Sequence, residues 1–196
     1  MKAIKILVIL ASVIALVSCS KDKAIQLNSP NQAQQIIPIP NSDFENWDWQ
    51  PLPQNWKTNS CPFCLLQYET YIVQKVSDFH SGQFAAKFIY NNVYTAWAEN
   101  KFSIPAHPLS LKGYVKCNLY GTDTVSIEIK IFFNTVMVDS GRWISSSSIN
   151  NYTEINIPIT QDASQIDSAS IRIQGGHKMG YPNSNTELWV DDLTFE

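Results

Sequence analysis

Between Leu111 and Phe133 the chain alternates apolar and polar residues through two successive runs, and no helical rhythm interrupts them. Leu111, Gly113, Val115, Cys117 and Leu119 share one phase, and Lys112, Tyr114, Lys116, Asn118 and Tyr120 share the other. Val125, Ile127, Ile129, Ile131 and Phe133 repeat the pattern against Ser126, Glu128, Lys130 and Phe132. A period of two places successive side chains on opposite faces of a strand, so each run predicts a strand with one buried face. Further strands are predicted over Gly82–Tyr90 and Ala98–Ile104, around Val136 and Val138, and through Thr153, Ile155 and Ile157 up to Pro158. Ala169, Ile171 and Ile173 alternate with Arg172 and Gln174, and a last strand covers Leu188 to Phe195. Breakers fall between them, among them Asn91-Asn92, Pro105 to Pro108, Gly121-Thr122, Asn150-Asn151 and Gly175-Gly176. No window of helical length carries an apolar stripe. Without crossover helices a parallel sheet is excluded, so the fold class is all-β: an antiparallel sandwich or jelly roll of about eight to ten strands. In the last strand Leu188 and Val190 share a phase while Leu193 and Phe195 take the other, with Asp191-Asp192 at the slip. A β-bulge there is favoured over a strand end buried on both faces.

The N-terminus bears on location. Lys2 and Lys5 precede an apolar run from Ile6 to Val17, broken only by Ser12. That is a signal-peptide pattern, too short for the roughly 20 residues a spanning helix needs. The run ends Leu16-Val17-Ser18-Cys19, which resembles the lipobox of bacterial lipoproteins. The resemblance implies a signal peptide over 1–18, a diacylglycerol on the Cys19 thiol, and a partner in the lipid membrane. An ordinary cleaved signal peptide is the alternative. Two or three acyl chains would anchor the chain firmly where one holds only marginally. Residues 19–40, Asn/Gln-rich and then Pro-restricted, form a tether, and 41–196 form the domain. The expected location is the cell envelope, anchored to the outer membrane on its periplasmic face or at the cell surface. Three cysteines remain. Cys61-Pro62-Phe63-Cys64 has redox or zinc spacing, but zinc wants a second pair, and a thioredoxin-like motif wants a helix directly after it. Leu65 to Tyr71 reads instead as the start of a strand. The expectation is a loop disulfide between Cys61 and Cys64, with Cys117 a buried thiol; Cys117 is the alternative partner for Cys61.

Two ends of the domain and one interior stretch carry a family resemblance. Asn41-Ser42-Asp43-Phe44-Glu45-Asn46-Trp47 is followed by Pro53-Gln54-Asn55-Trp56, and the chain closes Val190-Asp191-Asp192-Leu193. Ser81-Gly82-Gln83-Phe84-Ala85-Ala86 lies between them. These stretches resemble jelly-roll carbohydrate-binding modules of the galactose-binding-like group, and the domains of Bacteroidota lipoproteins assigned to carbohydrate metabolism. The resemblance implies core positions for Phe44 and Trp56. It also implies a structural calcium where first and last strands meet, held by Glu45 and Asp191 with carbonyls of the Ser81-Gly82 turn, and with Asp43 and Asp192 in reserve. Calcium takes hard oxygen ligands of this kind.

Sugar recognition needs flat aromatic rings for C–H faces and planar polar groups for hydroxyls. The outward phases supply Tyr114, Asn118 and Tyr120 on one strand, Glu128 and Lys130 on the next, and Arg172 and Gln174 near the end. On one sheet these would form a single ligand-binding face, with Trp143 and the loop from Gly175 to Asn185 at its edge. A formal net charge of -3 offers no basic stripe, which argues against nucleic acid as a partner. No G-x-S-x-G or H-E-x-x-H motif is present, and adjacent Asp191 and Asp192 would point to opposite faces of a regular strand. No catalytic residue is therefore assigned. The function expected is glycan capture by a non-catalytic lipoprotein, as an accessory to polysaccharide use and in company with proteins of a glycan-uptake system. A structural or adhesion domain that binds protein is the alternative, and a cryptic glycoside hydrolase ranks below both.

Overall fold

The alternating runs become strands because burying every second side chain of a pleated segment removes the most apolar area from water per residue ordered. The computed structural model describes residues 37–61, 71–90, 95–160, 165–177 and 185–196. Its strands are β1 (Lys57–Thr58), β2 (Val73–Val76), β3 (Ala85–Ile89), β4 (Ala96–Ser103), β5 (Ser110–Asn118), β6 (Thr124–Phe133), β7 (Val136–Ser145), β8 (Ile149–Pro158), β9 (Ser168–His177) and β10 (Glu187–Phe195). They form two five-stranded sheets. The first has the order β1-β4-β9-β6-β7, and the second β2-β3-β10-β5-β8. All pairings are antiparallel. Among the described residues no helix is long and apolar enough to cross a membrane.

The inward phases meet between the sheets. Ile127, Ile129, Ile131, Ile171 and Ile173 come from the first sheet; Phe88, Leu111, Val115, Leu188 and Val190 come from the second. Phe44 and Trp56 are buried as expected, with ring centroids 5.1 Å apart. Ile37 and Ile39 are also buried in this core, so packing reaches back into the stretch read as tether. In β5, Val115 and Cys117 are buried, Tyr114 and Lys116 are half-buried, and Asn118 is exposed. That is the register the alternation implies.

Some boundaries differ from the sequence reading. Asn150-Asn151 lies inside β8, and Gly175-Gly176 inside β9. Gly175 is there because the sheets approach closely: a Cβ on it would stand 2.6 Å from Phe88 Cβ. The strands β1 and β2 are too short to show a period. The strand expected from Leu65 begins only at Val73 within the described residues. The bulge in β10 is present: pairing with β5 shifts between Asp191 and Thr194, and Asp192 takes φ 50°. Cys61 is disulfide-bonded and Cys117 is a free, buried thiol, so the two are not partners. Burial pushes the Cys117 thiol pKa up. Cys64 and Cys19 lie outside the described residues.

Candidate functional site

The outward-facing residues named from the sequence do not share one face. Tyr114 and Asn118 on β5, with Tyr120 just beyond it, belong to the second sheet; Glu128, Lys130, Arg172 and Gln174 belong to the first. The two sets look out from opposite sides of the sandwich. Alternation sets the phase within a strand, whereas sheet membership depends on connections that no local pattern encodes. Trp143 does lie on the edge strand β7, but it stands opposite Ile127 in the register and is half-buried against the core rather than in the outward phase. Of the loop from Gly175 to Asn185 expected at the edge, the side chain of His177 and residues 178–184 fall outside the described set.

On the first sheet, register assembles what the sequence scattered. Lys57, Glu99, Arg172, Glu128 and Arg142 are successive cross-strand partners through all five strands, so charge alternates along one row. The neighbouring row is Trp97, Gln174, Ser126 and Ile144. The Arg172 guanidinium lies 4.4 Å from the Trp97 ring centroid. The third row includes Lys101, Ser170 and Lys130, with Lys130 3.0 Å from Glu128 and Ser170 Oγ donating to Glu99 at 3.0 Å. Two open depressions adjoin these rows and share Lys101. One, of about 320 Å³, is lined by Asn55, Lys57, Glu99 and Lys101. The other, of about 220 Å³, is lined by Lys101, Phe132, Thr135, Ser168 and Ala169. Trp97 was missed because the strand was read from Ala98; carrying its alternation one residue back would have put Trp97 in the outward phase.

On the second sheet the loop before β3 is laid across the outer face. The Asp191 carboxylate, fully buried, accepts the His80 and Ser81 amides at 2.8 and 3.2 Å. Asp192 accepts the Ser81 hydroxyl at 2.9 Å and meets His80 Nδ1 at 2.7 Å. Both aspartates thus grip the same loop. The expectation that they point to opposite faces fails because the bulge turns Asp192 out of the regular strand conformation. Burial raises the Asp191 pKa from 3.8 to about 6; its amide hydrogen bonds oppose the rise and the charge of Asp192 adds to it. The His80 ring stacks on Tyr114 with centroids 3.5 Å apart. Trp189, at the centre of this sheet, has the ammonium groups of Lys87 and Lys116 at 4.7 and 4.4 Å from its ring. Lys116 also lies 5.3 Å from the Tyr152 ring.

Glu45 and Asp191 do converge on one segment, as expected for a calcium site, yet the donors they meet are of the wrong kind. Glu45 Oε1 accepts the Gln83 and Phe84 amides at 2.7 and 2.9 Å, and Asp191 Oδ1 accepts the Asp192 amide at 2.9 Å. The segment around the Ser81-Gly82 turn meets these carboxylates with amides: His80 and Ser81 donate to Asp191, and Gln83 and Phe84 donate to Glu45. Among the described residues no group of three or more His, Cys, Asp or Glu side chains could hold a metal. Calcium takes six to eight oxygens, and the carboxylates of Glu45 and Asp191 already accept amide hydrogen bonds, so no role is given to the ion.

No family profile and no curated protein matches the chain. Solved structures do. A candidate glycoside hydrolase from Bacteroides vulgatus ATCC 8482 is similar with a TM-score of 0.54 and 11% identity, over 64% of this chain and 78% of that one. The fold is a jelly-roll β-sandwich. A candidate glycoside hydrolase from Bacteroides thetaiotaomicron vpi-5482 is similar with a TM-score of 0.51 and 9% identity, over 64% of this chain and 57% of that one. A structure of carbohydrate-binding modules from the β-sandwich superfamily has a TM-score of 0.50 and 11% identity, over 79% of this chain and 60% of that one. The chain thus spans less than two thirds of the latter two. At these identities the sandwich shares its architecture with them, and function has to be argued from its own surface.

Proposed function

We propose that this chain is a non-catalytic cell-envelope lipoprotein that binds carbohydrate through the outer face of the β1-β4-β9-β6-β7 sheet. The observation that carries this is the pair of adjacent cross-strand rows: an unbroken line of cationic and anionic groups beside Trp97. The Trp97 ring offers a flat surface to the C–H face of a sugar. Arg172, Gln174, Glu99 and Glu128 offer planar donors and acceptors that bond hydroxyls in pairs. The depressions at Lys101 give the face relief. Similarity of fold to carbohydrate-binding modules is consistent with this reading and carries no residue-level weight. The lipobox resemblance at Cys19 supports a tether at the outer membrane, from which the binder would serve polysaccharide capture alongside proteins of a glycan-uptake system. Docking of a protein is the second reading, favoured by the exposed Val136, Met137 and Ile144 on the edge strand β7.

The test is affinity electrophoresis of the full chain against a panel of neutral and acidic plant and bacterial polysaccharides. At least one should retard it. Trp97→Ala and Arg172→Ala should each weaken that binding tenfold or more with melting temperature unchanged. If no polysaccharide retards the chain, or if both variants bind like wild type, this face is not a glycan site.

A further inference from the structure

An exposed loop normally keeps conformational freedom, because fixing each residue costs about 1–2 kcal/mol in entropy. The loop 77–84 departs from this. Asp191 and Asp192 hold its centre, Glu45 its exit, and the Tyr152 hydroxyl donates to the Asp78 carbonyl at 2.6 Å while Lys116 pairs with the Asp78 carboxylate. These anchors come from the segment before β1 and from β5, β8 and β10. Gly82, at φ 73°, is required at the closest approach, since a Cβ there would fall on the Glu45 carboxylate. What the anchoring sets in place is His80. Asp192 at Nδ1 keeps the proton on that nitrogen, so in the neutral ring Nε2 carries a lone pair. Tyr114 backs the ring flat, and the side chain is 32% exposed. No hydrogen bond to Nε2 occurs among the described residues.

Beside it runs a second row across the sheet. Lys87, Trp189 and Lys116 are direct cross-strand partners, and Tyr152 on β8 follows at the edge. On a β-sandwich the outer positions of central strands are ordinarily small or solvated polar groups. Here they carry two half-buried rings and two half-buried ammonium groups, each ammonium already balanced by Glu187 or Asp78. The charges cancel locally, so the surface is not built to attract an ion. Flat rings, hydrogen-bond donors from the lysines and an oriented acceptor on His80 suit an uncharged polyhydroxylated ring.

We infer that the outer face of the β2-β3-β10-β5-β8 sheet is a second carbohydrate-binding site, with Trp189 as its stacking platform and His80 as its oriented hydrogen-bond acceptor. It lies on the side of the sandwich opposite the Trp97 face, so one chain can engage two glycan segments at once. Simultaneous engagement raises avidity without any new contact. The inference rests on the carbohydrate-binding reading above, but on different residues.

The test is isothermal titration calorimetry of the full chain with cello-, xylo-, manno- and galactohexaose. At least one hexasaccharide should bind with a component that Trp97→Ala leaves intact and that Trp189→Ala and His80→Gln each weaken tenfold or more. Trp189→Phe, which keeps a ring, should restore part of it. Melting curves separate lost binding from lost fold, and Trp189→Phe keeps the claim testable if the alanine variant does not fold. Binding that disappears with Trp97→Ala and changes less than tenfold in the Trp189 and His80 variants overturns the second site and leaves the first standing. Binding that disappears only in the Trp189 and His80 variants supports the second site and removes the first. If none of the hexasaccharides binds the wild type, the second site falls together with the carbohydrate reading.

Discussion

Asp191 shows how much one residue does here. The residue is wholly buried and its carboxylate accepts the amides of His80, Ser81 and Asp192. Burial raises its pKa from 3.8 to about 6, so the folded chain holds this proton more tightly than the unfolded chain does. The sign follows from linkage. The stabilisation is complete below about 3.8 and is lost as pH rises through about 6. The difference between those values is worth on the order of 3 kcal/mol. Asp191→Asn cannot titrate, so wild type should gain about 2–3 kcal/mol over this variant when pH falls from 7.5 to 4, by chemical denaturation at each pH. Parallel pH profiles for the two proteins would show that Asp191 is not the titrating group.

At the scale of elements, the β6–β7 hairpin and the β10 bulge are where local chemistry and the assigned conformation diverge or agree most clearly. The hairpin is closed by Asn134 and Thr135, both at positive φ, 48° and 70°. Two positive φ values in a two-residue loop match the twist of a type I′ turn, which favours Asn followed by Gly. Asn134 is well placed. Thr135 is β-branched and costs about 1–2 kcal/mol in that region. Thr135→Gly should therefore raise stability by about 1 kcal/mol, read as an increase of about 2–4 °C in melting temperature. An unchanged or lower melting temperature would mean that Thr135 makes compensating contacts in the adjoining depression. The bulge in β10 follows the opposite logic. Its left-handed Asp192 is strained by itself, and the bonds to His80 and Ser81 hold it there.

For the whole molecule, the anchor proposed at Cys19 is tested apart from the stability of the sandwich. If Cys19 is acylated as proposed, Cys19→Ser should move the protein from the membrane fraction to the soluble fraction without altering the melting of the domain. Membrane association that survives the substitution would count against the lipid anchor. Cys117 is independent of this readout because it is buried and free in the core.

Fold class and strand phases were readable from local pattern alone. Alternation in β5 and β6 says which side chains leave water, and the slip at Asp191-Asp192 announces a bulge, because both signals are local and set by the pleat. Phe44 and Trp56 were placed in the core through a resemblance at the chain ends. Which outward residues share a face follows instead from long-range strand pairing. Arg172 and Glu128 become neighbours, and Tyr114 goes to the other side, because strand order is set by long-range pairing between segments far apart in sequence. The same holds for His80. Nothing around it in the chain marks it, and it gains an orientation only when Asp192 arrives more than a hundred residues later to hold Nδ1.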